Sequence, residues 1–461
     1  MTQAQATCTA DPDFIASSER QGFSSRLGFV LAAAGSAVGL GNIWGFPTQV
    51  AQNGGAAFIL MYLVMVAILA YPMLVAELTI GRMSKKNPMD ALMSLSDKPH
   101  WKLIGKISGV TGILVVSLIL SFYGIVSGWL MAFMGEPVAR LAGMDGFADW
   151  LVGFSVSRNL ITMAVFMVLT VLIVRSGVTD GVERWSKRLM PSLFILLMAL
   201  AGYIATLPGA EEGLRMYFVP DLSKIFDPSL MVSAMGQAFF SLSLGTCAIM
   251  AYGSYLSQEE NISSIAGMVA GLDTGVAILA GILIIPAMTI AQANGVEIYA
   301  ADGSLLSSDA LVFSVLPSLF HSMGDLGEYV AFAFFTLLTI AALTSSISML
   351  EAPVNTACEK LNQPRGRMAL LVGASIALIS TIIILNFGAL FGFVITLTTV
   401  YAQPMLALVF GLLLMWVASR NKVLQELKSG NPDMEQGLFW KIWPWYVKFV
   451  CPVLMLAVFL G

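Results

Sequence analysis

Near its amino terminus the chain reads Gly35-Ser36-Ala37-Val38-Gly39-Leu40-Gly41-Asn42. This cluster lies inside an uncharged run at residues 27–76, which is long enough for two membrane helices of about 20 apolar residues each. Asn53-Gly54-Gly55 supplies a turn between the two helices. Because lipid cannot hydrogen-bond exposed backbone, glycines within a span indicate either close helix packing or an interruption of the helix inside the protein.

The composition of the whole chain is that of a membrane protein. Of its 461 residues, 57% are hydrophobic and 11% are charged, whereas soluble domains carry about 25% charged residues. Lipid must solvate most of this surface, so we predict one membrane domain. The net charge of −4, without a basic patch, gives no indication of nucleic-acid binding. The four scattered cysteines indicate neither a zinc site nor a disulfide framework.

Apolar runs predict an all-α polytopic protein with eleven transmembrane helices after an amino-terminal tail at residues 1–25. The spans lie near residues 26–49, 55–82, 104–133, 159–175, 188–207, 230–257, 262–291, 327–360, 366–386, 389–418 and 438–460. Lys and Arg collect in cytoplasmic loops. Their distribution predicts a cytoplasmic amino terminus, an extracytoplasmic carboxy terminus and a place in the plasma membrane, which is the inner membrane in a bacterium. The loops at 134–158 and 292–326 are then outside.

A second cluster of small and polar residues follows about 200 positions later and reads Ser241-Leu242-Ser243-Leu244-Gly245-Thr246-Cys247. Close packing could explain either cluster alone. Broken helices at corresponding places, here helices 1 and 6, are typical of transporters built on an inverted repeat. The repeats would be residues 26–207 with helices 1–5 and residues 208–419 with helices 6–10, and residues 420–461 would add a cytoplasmic loop and helix 11. Unwound carbonyls can bind a cation, and half-helix amino termini suit a carboxylate.

Several polar side chains lie inside the predicted spans. Asp273 is the only charge in helix 7, so it is a functional candidate, although a protonated carboxyl in a structural hydrogen bond is the alternative. Helix 8 carries the hydroxyl-rich run 344–348, whose oxygens suit a hard cation or a bond back to the helix. Glu77 lies near the end of helix 2 and Glu351 lies in the cytoplasmic half of helix 8, and pairing with a basic residue at the interface would explain either of them. The two histidines, His100 and His321, are expected to be solvated in connecting loops.

These segments resemble the neurotransmitter:sodium symporters, a family that includes the bacterial leucine transporter and the monoamine and GABA transporters. The matching segments are 25–47, 53–58, 77–82, 237–245 and 344–347, and the likeness extends over nearly the whole chain. The resemblance implies a sodium-coupled amino-acid symporter that works by alternating access, and it implies no enzyme activity. Several bacterial members also end after eleven helices.

The resemblance further implies two sodium sites and one substrate site. The first sodium would be held by Ala37, Asn42, Ser241, Asp273 and the substrate carboxylate, and the second by Gly35, Val38, Ala341, Thr344 and Ser345. Tyr123 would hold the substrate carboxylate, Phe240 would cover it, and the substrate would also contact Ala37, Gly39, Gly41, Ile119, Ser241, Ser243, Thr246, Ser346 and Met349. An intracellular gate would consist of Arg20, Phe23, Ser254, Tyr255 and Glu359.

Departures from the family pattern refine the expected substrate and ions. Gly39 stands where monoamine transporters have an aspartate, which indicates a substrate that keeps its own carboxylate. Asp273 replaces an asparagine of the leucine transporter, and Ala277 replaces the serine of chloride-dependent members. A fixed negative charge would then take the place of chloride, so we expect sodium but no chloride. Gly45 replaces the arginine of the usual extracellular gate.

Other classes of function fit the sequence less well. A proton-coupled amino-acid carrier of the same architecture, with Asp273 as a proton relay, remains the alternative. The sequence has no filter motif of an ion channel and no nucleophile–base or metal constellation of an enzyme. A pocket of moderate volume suits aliphatic or aromatic neutral amino acids without choosing among them, and the oligomeric state is left open.

Overall fold

The computed structural model describes residues 23–225, 227–298 and 311–460. Within these ranges the regular structure is helical, and no residue lies in a strand. The first half of these ranges contains α1 (Arg26–Ala37), α2 (Gly41–Gln52), α3 (Ala56–Ser84), α4 (Pro88–Met93), α5 (Pro99–Leu141), α6 (Asp145–Val152), α7 (Val156–Arg175), α8 (Val178–Ala205) and α9 (Ala210–Phe218). The second half contains α10 (Pro228–Ser241), α11 (Ala248–Gly253), α12 (Ile262–Ala293), α13 (Leu316–Ser322), α14 (Asp325–Leu361), α15 (Arg365–Leu385), α16 (Phe387–Val417), α17 (Arg420–Gly430) and α18 (Leu438–Val458).

Membrane-spanning helices occur where the apolar runs predict them. Within the described ranges, nine helices are long and apolar enough to cross a membrane, and α1 with α2 forms a tenth span bent by 51°. The predicted span 230–257 is present as α10 and the short α11, separated by the non-helical residues 242–247. Both spans that contain a cluster of small and polar residues are therefore interrupted.

Several helices extend beyond the apolar runs that predicted them. The third span was predicted at 104–133, but α5 has 43 residues and extends from Pro99 to Leu141. The fifth was predicted from 188, but α8 begins at Val178. Charged residues such as Lys102 and Arg184 mark the end of an apolar run, yet Lys and Arg are good helix formers, so a helix continues through them. The predicted loops 134–158 and 292–326 also contain the helices α6 and α13.

Close helix packing surrounds the two interruptions. A side chain at Gly81 of α3 would come within 2.9 Å of the backbone nitrogen of Ser254, just after α11. One at Gly128 of α5 would come within 2.6 Å of the backbone nitrogen of Met163 in α7. Because only glycine permits such approaches, α3 and α5 lie close to their neighbours. Helices α3, α8, α12 and α14 pack against the interrupted segments.

Candidate functional site

The interruption of the first span exposes backbone groups that side chains then satisfy. The last regular bond of α1 runs from the Val38 N–H to Ala34, after which Val38 is extended with ψ 106°. The Gly39 N–H donates to the Asn42 side-chain oxygen at 3.0 Å, and the Leu40 N–H donates to the Tyr123 hydroxyl at 3.3 Å. These bonds replace the intrahelical partners that the backbone loses at the break.

The interruption of the second span uses left-handed backbone. Ser243, Gly245 and Cys247 have φ values of 53°, 76° and 63°. The Ser243 hydroxyl donates to the carbonyl of Ser36 at 3.0 Å, which joins the two broken segments directly. The Gly245 N–H donates to the Glu77 carboxylate at 2.7 Å. Glu77 therefore holds the unwound backbone of the second span, a role that its sequence interpretation as half of an interfacial ion pair did not predict.

Asp273 of α12 lies at the centre of the first predicted cation site. Its carboxylate is fully buried and accepts bonds from the Ser241 hydroxyl at 2.8 Å and from the Asn42 side-chain amide at 2.7 Å. The same amide donates to the backbone carbonyl of Asp273 at 2.9 Å. The structure thus brings together one side chain from each broken segment around one buried carboxylate. A bare carboxylate in such a place is unfavourable without a proton or a cation nearby.

The hydroxyl-rich run of α14 lies against the end of α1. The Ser345 hydroxyl lies 3.0 Å from the carbonyl oxygen of Val38 and 3.3 Å from that of Gly35. The Thr344 hydroxyl donates to the Ala341 carbonyl at 2.9 Å. All five residues predicted for the second sodium site are thus neighbours, and each contributes an oxygen of the kind that hard cations prefer.

A cavity of about 350 Å³ reaches the break of the first span from the side on which α2 ends and α10 begins. Tyr123, Phe240, Leu40 and Gln237 are among its lining residues. A side chain at Gly41 would lie 3.2 Å from the Phe240 ring, so that ring covers the break closely. The cavity contains the side chains predicted to hold and to cover the substrate carboxylate.

The remaining predicted substrate contacts are all buried, but their side chains have different neighbours. They are Ala37, Gly39, Gly41, Ile119, Ser243, Thr246, Ser346 and Met349. The Thr246 hydroxyl donates to the Ser243 carbonyl at 2.6 Å and so stabilises the second break. The Ser346 hydroxyl lies 3.0 Å from the Thr170 hydroxyl of α7, so it contacts a neighbouring helix.

Two glutamines complete the site and were not found from the sequence. Gln237 donates to the Gly41 carbonyl at 2.6 Å, and a side chain at Gly45 would lie 3.2 Å from its amide oxygen. Gln403 donates to the Phe239 carbonyl at 3.1 Å. Both are polar side chains within apolar spans, and this burial of amides is the signal that could have identified them.

The predicted intracellular gate lies at the opposite end of the broken helices. The Phe23 ring packs edge-on against Tyr252 at 5.7 Å and Tyr255 at 6.3 Å between ring centroids. The Tyr255 hydroxyl donates to Glu351 at 2.9 Å. Glu359 accepts from the Asn87 side chain at 2.7 Å, and the Ser254 hydroxyl donates to the Ala251 carbonyl at 2.7 Å. Arg20 lies outside the described residues.

Glu351 also forms the pairing with a basic residue that was expected from the sequence. Its second oxygen is in an ion pair with Arg365, whose other terminal nitrogen lies 2.9 Å from the first oxygen. The Glu351 side chain is completely buried. A buried carboxylate held by a bidentate guanidinium and a tyrosine hydroxyl joins α14, α15 and the end of the second broken span.

His321 lies in α13 and has carboxylate neighbours, contrary to its interpretation as a solvated loop residue. Its Nε2 atom lies 3.3 Å from Glu136 and 3.7 Å from Glu328. The hydrogen bond with Glu136 raises the pKa of His321, and partial burial opposes that effect. Protonated His321 therefore joins α13 to α5 and α14.

Two interrupted spans around a buried carboxylate and a hydroxyl cluster define the construction of a secondary transporter. The model of the sodium:neurotransmitter symporter family matches residues 20–142 and 154–461. The chain belongs to this family, which confirms the resemblance seen in the sequence. Its members are transporters and not enzymes.

Individual relatives agree with this assignment. The chain is 33% identical over 454 residues to YhdH of Bacillus subtilis, an uncharacterised sodium-dependent transporter, with 95% of this chain and 97% of that protein covered. It is 30% identical to MJ1319 of Methanocaldococcus jannaschii, also an uncharacterised sodium-dependent transporter, with 95% and 90% covered. The crystal structure of MhsT in complex with L-phenylalanine has 38% identity and a TM-score of 0.83, and 96% of this chain and 99% of that chain are covered. The protein is thus a sodium-dependent, multi-pass membrane transporter.

Proposed function

We propose that the protein is a symporter of neutral amino acids that binds two sodium ions, does not need chloride and works by alternating access. The observation that carries the proposal is the fully buried Asp273 carboxylate, to which Asn42 and Ser241 donate from the two broken segments. A cation among these oxygens would compensate the buried charge. The substrate carboxylate would complete this first site.

The second sodium would lie among the carbonyls of Gly35 and Val38 and the hydroxyls of Thr344 and Ser345. These oxygens come from α14 and from the end of α1 with the adjoining Val38, so an ion between them would stabilise one relative position of the two helices. A ligand shifts a conformational equilibrium only through its different affinities for the two states. Such an ion would therefore couple the sodium gradient to the position of α1.

An amino-acid substrate is supported by the break of the first span. Gly39 leaves no acidic side chain there, and the Leu40 N–H and the Tyr123 hydroxyl lie together beside it. These donors suit the carboxylate of an amino acid, since the positive end of α2 lies at the same place. MhsT, which was crystallised with L-phenylalanine, is consistent with an aromatic or aliphatic substrate.

Independence from chloride is supported by the residue one turn beyond Asp273. Ala277 is buried and has no hydroxyl group to donate to an anion. Asp273 would itself supply the fixed negative charge beside the first sodium. Uptake into proteoliposomes should continue when gluconate replaces chloride at constant sodium, and its collapse would refute this part of the proposal. The double variant Asp273→Asn with Ala277→Ser should respond to chloride more strongly than the wild type does.

The substrate can be identified by sodium-dependent thermal stabilisation of the purified protein against the twenty amino acids. Neutral side chains should stabilise, and Asp273→Ala should abolish the effect. Substrate-dependent stabilisation that is unchanged by sodium would contradict the proposal, and uptake driven by a pH gradient alone would favour proton coupling instead.

We further propose that the amino terminus is cytoplasmic, that the carboxy terminus is outside, and that the two five-helix halves form an inverted repeat. Arg82 of α3 forms an ion pair with Glu426 of α17, and the start of α5 lies beside the end of α16. These helix ends therefore lie at one end of the bundle, and they carry or adjoin Arg82, Lys85, Lys102 and Arg420. Cations favour the cytoplasmic side. Labelling of single cysteines at both ends with an impermeant reagent in intact cells would test the orientation.

A further inference from the structure

Two cavities on the lipid-facing side of the bundle share one residue, Lys448 of α18. The first has a volume of about 280 Å³, lies between the end of α16, α17 and α18, and is also lined by Arg420. The second has a volume of about 430 Å³ and is lined mainly by apolar side chains such as Ile104, Leu412 and Pro452. A cationic cavity therefore adjoins an apolar groove at Lys448.

The cations of the first cavity rest on aromatic rings. The Arg420 guanidinium lies 5.5 Å from the centre of the Trp440 ring, and the Lys448 ammonium lies 4.3 Å from that of Trp416. Neither cation forms an ion pair within the described chain, and neither cavity has an Asp or Glu in its lining. The cavity thus has two positive charges and no negative one, which is the electrostatic complement of an anion.

The position of the cavities corresponds to the boundary between headgroups and hydrocarbon. The apolar span of α16 ends at Val417, three residues before Arg420, and the side chains of Trp416 and Trp445 are each 56% exposed. Exposed tryptophans are typical of that boundary. The end of α16 and the start of α18 lie on the cation-rich side of the bundle, where anionic lipids attract basic residues.

We propose that the two cavities together bind one anionic phospholipid, with its phosphate between Arg420 and Lys448 and an acyl chain in the apolar groove. The groove distinguishes this ligand from a soluble anion, because Ile104, Leu412 and Pro452 offer nothing to an inorganic phosphate. The charge distinguishes it from a zwitterionic lipid. The inference depends on membrane insertion and not on the identity of the transported substrate.

The proposal can be tested by native mass spectrometry of the full-length protein with phosphatidylglycerol or phosphatidylcholine. Each cation near an anionic lipid contributes roughly a fivefold gain in affinity, so Arg420→Gln with Lys448→Gln should reduce retention of phosphatidylglycerol by about 25-fold. Lys441→Gln removes an exposed cation of α18 that lines neither cavity, and it should retain the lipid as the wild type does. Leu412→Trp should reduce retention by filling the groove with both charges in place.

Two further measurements separate the proposal from its alternatives. The charge-retaining variant Arg420→Lys with Lys448→Arg should keep most of the lipid. This control separates the loss of positive charge from unfolding as the cause of lipid loss in the glutamine variant. Inorganic phosphate should not displace the lipid. Equal retention of the two lipids by the wild type, equal loss in Lys441→Gln, or displacement by inorganic phosphate would each overturn the proposal.

Discussion

Gly39 lies where the first span breaks, and its replacement by alanine would place a methyl group against two residues of the proposed site, Tyr123 and Ser345. A Cβ atom there would lie 2.8 Å from the Tyr123 hydroxyl oxygen and 3.1 Å from the Ser345 Cβ atom, and it would come closer still to the Ser345 hydroxyl. Contacts under 3.0 Å force their partners to move. Tyr123 would have to leave the Leu40 N–H, and Ser345 would have to leave the carbonyls of α1.

The expected loss of binding affinity follows from the cost of overpacking, which is about 1–3 kcal/mol for an inserted methyl group. Because 1.4 kcal/mol corresponds to a factor of ten, sodium and substrate binding should weaken by about 5- to 150-fold. The affinities for sodium and for the substrate should both fall, since the methyl group displaces Tyr123 on the substrate side and Ser345 on the sodium side. Removal of the Ser345 hydroxyl in Gly39→Ala with Ser345→Ala should relieve part of the steric cost, so the two substitutions should not be additive.

The assay is uptake of a radiolabelled substrate by proteoliposomes, with sodium and substrate titrated separately. Gly271→Ala is the matched control, because a Cβ atom at Gly271 of α12 would meet nothing within 4 Å. It should leave both affinities unchanged and should slightly stabilise its helix. Wild-type affinities in Gly39→Ala would refute the assignment of this glycine to the site, and an equal loss in Gly271→Ala would show that the assay reports general stability.

Three further outcomes are expected. Glu77→Ala should cost about 1–3 kcal/mol of folding free energy because it leaves the buried Gly245 N–H without its acceptor, whereas Glu77→Gln, which keeps an acceptor oxygen, should cost less in thermal unfolding. Gly245→Ala should lower the melting temperature because a left-handed φ costs a non-glycine residue about 1–2 kcal/mol, and Gly271→Ala should not lower it. Glu136 raises the pKa of His321 above 6.5, so this contact stabilises the folded protein below that pH and is lost as the pH rises through the higher folded value. The difference in melting temperature between wild type and His321→Gln should therefore be larger at about pH 5.5 than at about pH 9, and an equal difference would contradict it.

The broken helices could be predicted because their cause is local. Glycine, serine and asparagine residues weaken a helix where they cluster, so the two interruptions could be predicted from segments 35–42 and 241–247. Asp273 could be identified for a related reason, because a single charged residue within an apolar span is usually functional. These features depend on residues that are near one another in the sequence.

The partners of distant polar residues could not be predicted. Glu77 has Gly245 as its partner, and His321 has Glu136 and Glu328, and each contact joins segments far apart in the chain. Hydrophobicity does not encode which helices become neighbours. The length of α5 was also underestimated, because a helix that leaves the hydrocarbon is no longer marked by apolar residues.

Helix α5 carries residues of three separate sites, the apolar groove, the proposed substrate site and the contact with His321. With 43 residues it is about 65 Å long, roughly twice the thickness of the hydrocarbon core. Trp101 also lines the apolar groove. At about 1.5 Å per residue, Tyr123 lies about 33 Å from Trp101 and about 20 Å from Glu136, which contacts His321. If α5 tilts as a rigid lever about Tyr123, a rotation of about 5° moves its two ends by about 3 Å and 2 Å in opposite directions. A tilt that leaves Tyr123 in place is thereby large enough to make or break contacts at both ends of α5.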